Sequence, residues 1–291
     1  MAITAALVKE LRERTGAGMM ECKKILTETD GDIDVAIEEL RKRGAAAADK
    51  KSSRVAAEGT VVALVSGTDG VLLEVNCETD FVGKDENFVG FANNVAQTVL
   101  DNDVADVDAL AAAPISGGEG TVEESRSALV QKIGENIKIR RFERFQAESG
   151  ETVSSYQHGK SIGVVVKTTG DDELGRDLAM HIAASKPLCI NESQIPVDQI
   201  EKEKEIFSAQ AAESGKPAEI IEKMVVGRLR KFVNEVTLLG QSFVKDPDQT
   251  VEKLLKSKNA EVTSFVRYEV GDGIEKKEDN FVEEVMAQAK G

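Results

Sequence analysis

The chain has 291 residues, enough for two or more compact units, because a single hydrophobic core rarely grows much beyond roughly 150 residues. Its formal net charge of −15 argues against nucleic-acid binding, which requires a basic face. No apolar run of about 18 residues predicts a membrane span, and Met1–Arg14 is too charged for a signal peptide. Three widely spaced cysteines indicate reduced thiols and a cytoplasmic location.

Residues 4–44 show the periodicity of three short helices that pack as one small module. Thr4 is placed to cap the first helix and Asp32 to cap the third. Gly44 follows the last apolar residue of the third helix and is predicted to end it. Residues 45–59, rich in Ala, Lys and Ser, are interpreted as a partly helical linker. A module this small is expected to keep some apolar surface for a partner.

A β-hairpin followed by a helix is predicted next. Two Val/Leu-rich runs, Thr60–Val65 and Val71–Val75, flank a stretch of turn residues. Asp85 is a candidate cap for the helix, whose apolar side includes Phe88 and Val95.

The chain then continues through a connection, a helix and a strand. Residues 101–120 are rich in Asp, Ala and Gly and predict a loose surface connection. Thr121 and Glu124 have the spacing of a capping box, which predicts a helix to about Ile133. A strand is predicted over 136–139.

The plan of strand, turn, strand and helix recurs in the second half with weak sequence identity. Strands are predicted at Val153–Gln157 and Ser161–Lys167, followed by a helix that places His181 on its apolar side. A packed histidine is favoured there over a functional one. A strand over Val262–Val270 would return to this second sheet, and we infer two related subdomains.

Two amphipathic helical stretches within 197–237 interrupt this plan and predict an antiparallel hairpin. Such a hairpin has apolar surface left to bury, so it is a candidate for self-association. A last amphipathic helix is predicted after Asp279, with Phe281 and Val285 on its apolar side.

The predicted fold class is α+β, with two related α/β subdomains that each contain a small antiparallel sheet. The predicted organisation is an N-terminal three-helix (UBA-like) module and linker (1–54), a core N-subdomain (55–145), a first part of the core C-subdomain (146–196), a protruding helical hairpin (197–238), a second part of the core C-subdomain (239–274) and a C-terminal helix module (275–291).

The residue pattern is not that of an enzyme. A Gly-Lys-Ser sequence at 159–161 is similar to the end of a phosphate loop, but the earlier glycine would fall at Ser154. A thiol enzyme would need a histidine beside Cys77, and no local feature brings His158 or His181 there. We expect no metal, no cofactor and no catalytic residue.

The segment Thr79-Asp80-Phe81-Val82 is unusual, because a bulky apolar residue stands beside a carboxylate between a predicted strand and a helix. Loops of this kind lie on the surface, where function is commonly found. From the residues alone, the favoured interpretation is that Phe81 packs into its own core and Asp80 forms a turn.

Six stretches are distributed along nearly the whole chain: residues 8–24 (VKELRERTGAGMMECKK), 74–82 (EVNCETDFV), 132–136 (KIGEN), 155–159 (SYQHG), 181–187 (HIAASKP) and 271–276 (GDGIEK). In this order they resemble the signatures of the elongation factor Ts family. The first two are long and specific, which makes coincidence a poor explanation.

The resemblance implies a guanine-nucleotide exchange factor that binds the GDP form of elongation factor Tu and promotes GDP release. It carries the disturbance of the partner's Mg²⁺ and phosphate site to Thr79, Asp80, Phe81 and Val82. Further partner contacts are expected at Leu11, Met19, Met20 and His158. It also implies that the hairpin of 197–238 is a dimerisation module. Gly83, where the family commonly has another small residue, is expected to loosen the loop.

Two other classes of protein stay open. One is a binding adaptor, whose N-terminal module would take ubiquitin-like or peptide partners. The other is a thiol enzyme that uses Cys77. Met19 and Met20 could equally belong to the core of the N-terminal module.

Overall fold

The computed structural model describes residues 3–213 and 215–275. The predicted C-terminal helix, with Phe281 and Val285, lies outside the described residues, as does Ser214 in the bend of the hairpin. Within the described ranges, none of the helices combines the length and the apolar character that crossing a membrane requires.

The N-terminal module consists of α1 (Ala5–Thr15), α2 (Met19–Glu28) and α3 (Ile33–Lys51). Both predicted caps are confirmed, because the side chains of Thr4 and Asp32 accept N–H bonds from the first turns of α1 and α3. A small apolar core that includes Leu11, Ile25 and Leu40 lies between the helices.

The next elements are β1 (Glu58–Ser66), β2 (Asp69–Cys77), α4 (Glu86–Asp101), α5 (Val107–Ala112), α6 (Val122–Ile133) and β3 (Lys138–Gln146). The three strands form one sheet in the order β1-β2-β3. The cap at Asp85 and the capping box of Thr121 and Glu124 are confirmed. The stretch predicted as a loose connection contains α5, which buries Leu110 completely.

The prediction that Gly44 ends the third helix is wrong. α3 continues to Lys51, so half of the predicted linker is helical. Gly44 is buried, and a Cβ there would lie 3.1 Å from the side-chain oxygen of Gln131 and 3.5 Å from the backbone of Ser127, both in α6. The glycine therefore permits a close approach of α3 to α6, and this tertiary packing overrides its low helix propensity.

The remaining elements are β4 (Thr152–His158), β5 (Ile162–Thr168), α7 (Asp172–Ser185), α8 (Val197–Ala212), α9 (Ala218–Val236), β6 (Ser242–Phe243), β7 (Asp246–Thr250), α10 (Val251–Lys258) and β8 (Val262–Glu269). The second sheet has the order β4-β5-β8, and β4 pairs antiparallel with β5. α7 packs on this sheet through Leu178 and Ile182. The predicted α+β class is confirmed.

His181 is fully buried in α7, as predicted. Its Nδ1 accepts the N–H of Val244 at 3.3 Å, so its Nε2 carries the proton and donates to Oε1 of Gln241 at 2.9 Å. Burial lowers the pKa of the ring. His181 is therefore a neutral packing residue at neutral pH.

The chain divides into two compact units. Among the described residues, the first unit contains those up to Val62, Leu73–Phe142 and 269–275, and the second contains those within Ala63–Leu72 and Glu143–Tyr268. The tip of the β1–β2 hairpin thus belongs to the second unit. The finer domain boundaries predicted from the sequence stay predictions.

Candidate functional site

The loop between β2 and α4 carries the motif that the sequence singled out. Cys77 ends β2, a turn follows, a 3₁₀ helix spans Val82–Lys84, and Asp85 caps α4. Phe81 is 80% exposed, so the interpretation that it packs into its own core is wrong. Because the ring is not buried, about 1.5–3 kcal/mol of burial free energy is available to a partner.

The base of this loop is held by Glu135, which lies just after α6. Its carboxylate accepts the N–H groups of Glu78 and Thr79, each at 3.0 Å, and the hydroxyl of Thr79 at 2.6 Å. Hydrogen bonds to an ionised carboxylate are stronger than those between neutral groups. The first residues of the loop are therefore anchored, although the Thr79 side chain lies at the surface.

Gly83 lies against the backbone of β1. It is buried, and a Cβ at this position would lie 3.0 Å from the carbonyl oxygen of Gly59. A larger residue would push the 3₁₀ turn away from the strand. Gly83 therefore permits a close contact between the backbone of the 3₁₀ turn and that of β1. The sequence led us to expect that this glycine loosens the loop, and the structure shows it packed instead.

Asp80 is exposed and pairs with Lys84, whose Nζ donates to Oδ2 at 2.6 Å. This hydrogen bond lowers the pKa of Asp80, so the carboxylate is ionised at neutral pH. Exposed ion pairs of this kind contribute little to stability. Little free energy is therefore needed to redirect the Asp80 carboxylate toward another group.

The N-terminal module presents two methionines to solvent. Met19 is 59% exposed and Met20 is 76% exposed, so the interpretation that they form the core of the module is wrong. Leu11, which was expected to contact a partner, is fully buried in that core instead. It offers no side-chain surface for direct contact, and the methionines are the apolar surface that α2 leaves available. Their flexible side chains suit an adaptable contact.

His158 ends β4, in the second unit, and is exposed. Its Nδ1 lies 3.2 Å from the hydroxyl of Tyr156, and the two rings stack with their centroids 6.3 Å apart. This contact orients the imidazole at the surface. Its assignment as a partner contact stays a prediction.

Cys77 is a poor candidate for a nucleophile. Its buried thiol donates to the carbonyl oxygen of Thr79 at 3.2 Å, and burial raises its pKa to about 12. The thiolate is the reactive form, and it is scarce at neutral pH. Among the residues that the structure describes, no group of three or more His, Cys, Asp or Glu side chains could hold a metal ion.

Two charged residues at this site received no role from the sequence. Lys84 could have been found from its spacing of four residues to Asp80, which brings two side chains together on a helical turn. Glu135 stands 56 residues from Thr79 in the chain, and no local pattern indicates that the two meet.

The described residues thus present an apolar ring and an ionised carboxylate on an anchored surface loop, an arrangement suited to a protein that acts by contact with a macromolecular partner. The family model described as "Elongation factor TS" matches residues 78–272. The "Elongation factor Ts" of Thioalkalivibrio sulfidiphilus is 62% identical over 294 residues, covering 100% of both chains. That of Methylococcus capsulatus is 59% identical over 293 residues, covering 100% of this chain and 99% of its own. The chain belongs to the elongation factor Ts family of bacterial translation elongation factors.

Proposed function

We propose that this chain is a guanine-nucleotide exchange factor for elongation factor Tu. It binds the GDP form in the cytoplasm and promotes GDP release, so that GTP can bind during translation elongation. The proposal is carried by the exposed ring of Phe81 on a loop with an anchored base.

Nucleotide exchange depends on the balance between the binding free energy of GDP and that of the exchange factor on the same partner. A GTPase holds GDP and Mg²⁺ tightly, and a factor accelerates release by stabilising a partner conformation in which those contacts are weakened. Linkage makes the effect reciprocal. The exchange factor lowers the affinity of the partner for GDP, and GDP lowers the affinity of the partner for the exchange factor by the same ratio. No covalent bond is made or broken, so the chain is not an enzyme and needs no cofactor.

Phe81 acts as an apolar wedge in this scheme. Burying its ring against the partner contributes about 1.5–3 kcal/mol, which corresponds to about one to two decades in an equilibrium constant. A broad interface supplies the remainder, with Met19, Met20 and His158 among its contacts.

Asp80 brings negative charge close to the partner's metal ligands and disturbs their hydrogen bonds. Thr79 and Val82 flank Asp80 and Phe81 in the chain and contact the partner on either side of the Phe81 ring. Capture of the Mg²⁺ ion by Asp80 is not part of the scheme, because a single carboxylate is a poor site for an ion that prefers six oxygens.

The experiment that tests this function is the release of a fluorescent GDP from elongation factor Tu after addition of excess unlabelled GDP. Wild-type chain should accelerate release in proportion to its concentration until the partner is saturated. An unchanged release rate at every concentration of the chain would remove the proposal.

A homodimer through 197–238 is a second proposal, favoured by the surface of the hairpin. α8 and α9 contact each other through the rings of Phe207 and Phe232, whose centroids are 6.5 Å apart. Val197 is 70% exposed and Val226 is 63% exposed. The side chains of Val197 and Val226 would be buried between two copies.

Light scattering should give twice the mass of one chain for wild type and a lower mass for Val226→Glu. A monomeric wild type would contradict the dimer.

A further inference from the structure

Glu135 and the start of the motif loop exchange hydrogen bonds in both directions. The Glu135 carboxylate accepts the N–H groups of Glu78 and Thr79 together with the Thr79 hydroxyl. In return, the Glu78 carboxylate accepts the backbone N–H of Asn136 at 2.6 Å. Each of the two segments therefore supplies a carboxylate to the backbone of the other, and neither segment can shift without breaking bonds of the other.

The same junction is tied to the segment that follows α3. The side chain of Asn136 is buried and donates to the carbonyl oxygen of Arg54 at 2.8 Å. Arg54 in turn donates from Nη1 to the Glu78 carboxylate at 3.3 Å. The start of the loop is thus joined to two other segments of the first unit by charged and buried groups.

An exposed phenylalanine needs such support. A ring with 80% of its surface in water gains free energy by folding onto its own protein, and a loop without anchors samples many other conformations. A side chain that is already ordered in its binding conformation loses less conformational entropy when the partner binds. The hydrogen bonds of Glu135 end two residues before Phe81, which is close enough to restrict the ring's backbone.

We propose that Glu135 is the positioning residue of the Phe81 loop. Its carboxylate holds Glu78 and Thr79 so that Phe81 stays exposed in the geometry that engages the partner. This inference rests on the proposed exchange function, but its structural part can be tested without the partner. Glu135 itself makes no contact with nucleotide or metal in this scheme.

The chemistry of the side chain gives a graded series of variants. Glu135→Ala removes the acceptors for all three hydrogen bonds. Glu135→Gln keeps one oxygen for the two N–H groups, and its amide can donate to the hydroxyl oxygen of Thr79. The glutamine variant should therefore retain most of the positioning, whereas the alanine variant should lose it. Glu119→Ala, at an exposed glutamate of the first unit, is the matched control.

The first experiment measures the loop directly. The chain has no tryptophan, so Phe81→Trp introduces a single tryptophan at the exposed position, and its fluorescence can be excited selectively over that of the two tyrosines. Time-resolved anisotropy of this side chain should show a larger amplitude of nanosecond motion when Glu135→Ala is added. Glu119→Ala should leave the amplitude unchanged and Glu135→Gln should raise it only slightly. Equal amplitudes for Glu135→Ala and wild type in this background would overturn the proposal.

The second experiment is a double-mutant cycle on GDP release from elongation factor Tu. Glu135→Ala should lower the second-order rate constant of stimulated release by about 10-fold, which is 1.4 kcal/mol. In a Phe81→Ala background the same change should cost less than about twofold, because the ring that it positions is gone. An equal loss in both backgrounds would show that Glu135 acts independently of Phe81, and the proposal would fall.

Failure of the exchange function and failure of the inference are distinguishable. If wild type does not stimulate release, the proposed function is lost, and the anisotropy still decides whether Glu135 fixes the loop. If wild type stimulates release and Glu135→Ala matches it, only the inference is lost. Circular dichroism establishes that each variant is folded. If Glu135→Ala does not fold, Glu135→Asp takes its place, because its carboxylate is one methylene shorter and cannot reach all three donors. The amplitude should again rise, and an unchanged amplitude would overturn the proposal.

Discussion

Replacing Glu74 by glutamine should strongly destabilise the first unit. The side chain is fully buried, and its carboxylate accepts Nε of Arg141 at 2.7 Å, Nη1 of Arg140 at 3.0 Å and the N–H of Gly271 at 2.9 Å. Burial alone would raise the pKa of this carboxyl, but the amide of Gly271, the side chain of Asn76 and the two arginines hold it below its ordinary value. Glu74 is therefore ionised at neutral pH.

The magnitude follows from the groups that lose their acceptor. A glutamine turns one carboxylate oxygen into an N–H donor, which faces an arginine whichever way the amide is oriented. Removing one partner of a buried ion pair costs about 3–5 kcal/mol. The side chains of Arg140 and Arg141 keep 23% and 33% of their surface exposed, so water can solvate part of the unpaired charge. We expect a loss of about 3 kcal/mol, at the lower end of that range.

The sign of the pH dependence follows from the lowered pKa. The stabilisation by an ionised Glu74 is fully present above the pKa of the unfolded carboxyl, roughly 4.3, and is lost as the pH falls through the lower pKa of the folded state. The difference in the free energy of unfolding between wild type and Glu74→Gln should therefore be constant from neutral pH to about 5, and shrink below about 4.

Urea unfolding followed by circular dichroism at a series of pH values measures this difference. Glu119→Gln, on an exposed glutamate of the same unit, is the control and should change the free energy of unfolding by less than about 0.5 kcal/mol. The reasoning would be refuted if Glu74→Gln were as stable as wild type at neutral pH. It would also be refuted if the difference in the free energy of unfolding grew as the pH falls.

Three further predictions concern the site. Met19→Ala with Met20→Ala should lower stimulated GDP release by about 10-fold at unchanged stability, because both side chains are exposed, and equal release by the variant would contradict this contact. Cys77→Ser should change release by less than about twofold, and abolished activity would support a thiol mechanism. Asp80→Asn should lower stimulated GDP release by the same ratio at mildly acidic and at mildly basic pH, because the lowered pKa keeps Asp80 ionised at both pH values. A ratio that varies with pH would point to another titrating group.

Much of the fold could be predicted where local rules decide the structure. Helix starts were correct at Thr4, Asp32 and Asp85, because a side-chain oxygen that accepts first-turn N–H groups needs only neighbouring residues. β1, β2, β4, β5 and β8 were predicted from alternation and turn residues. The strand predicted over 136–139 lies instead at Lys138–Gln146, and the short strands β6 and β7 were not predicted.

The errors arose where contacts distant in the chain decide the structure. α3 passes through Gly44 because the glycine packs on α6, about 80 residues later, and nothing near Gly44 indicates this. The exposure of Phe81 and the anchor at Glu135 have the same origin, because burial and a bond across 56 residues are properties of the folded chain. The motif itself was recognisable, but its geometry was not.

The central claim is that the exposed ring of Phe81 drives nucleotide release, and stimulated release by Phe81→Ala tests it most directly. The variant should fold with wild-type stability, since the ring contacts little of its own protein. Its second-order rate constant for fluorescent GDP release from elongation factor Tu should fall by about 10- to 100-fold, the loss that corresponds to burying this ring. A folded Phe81→Ala variant that releases GDP as fast as wild type would contradict the account.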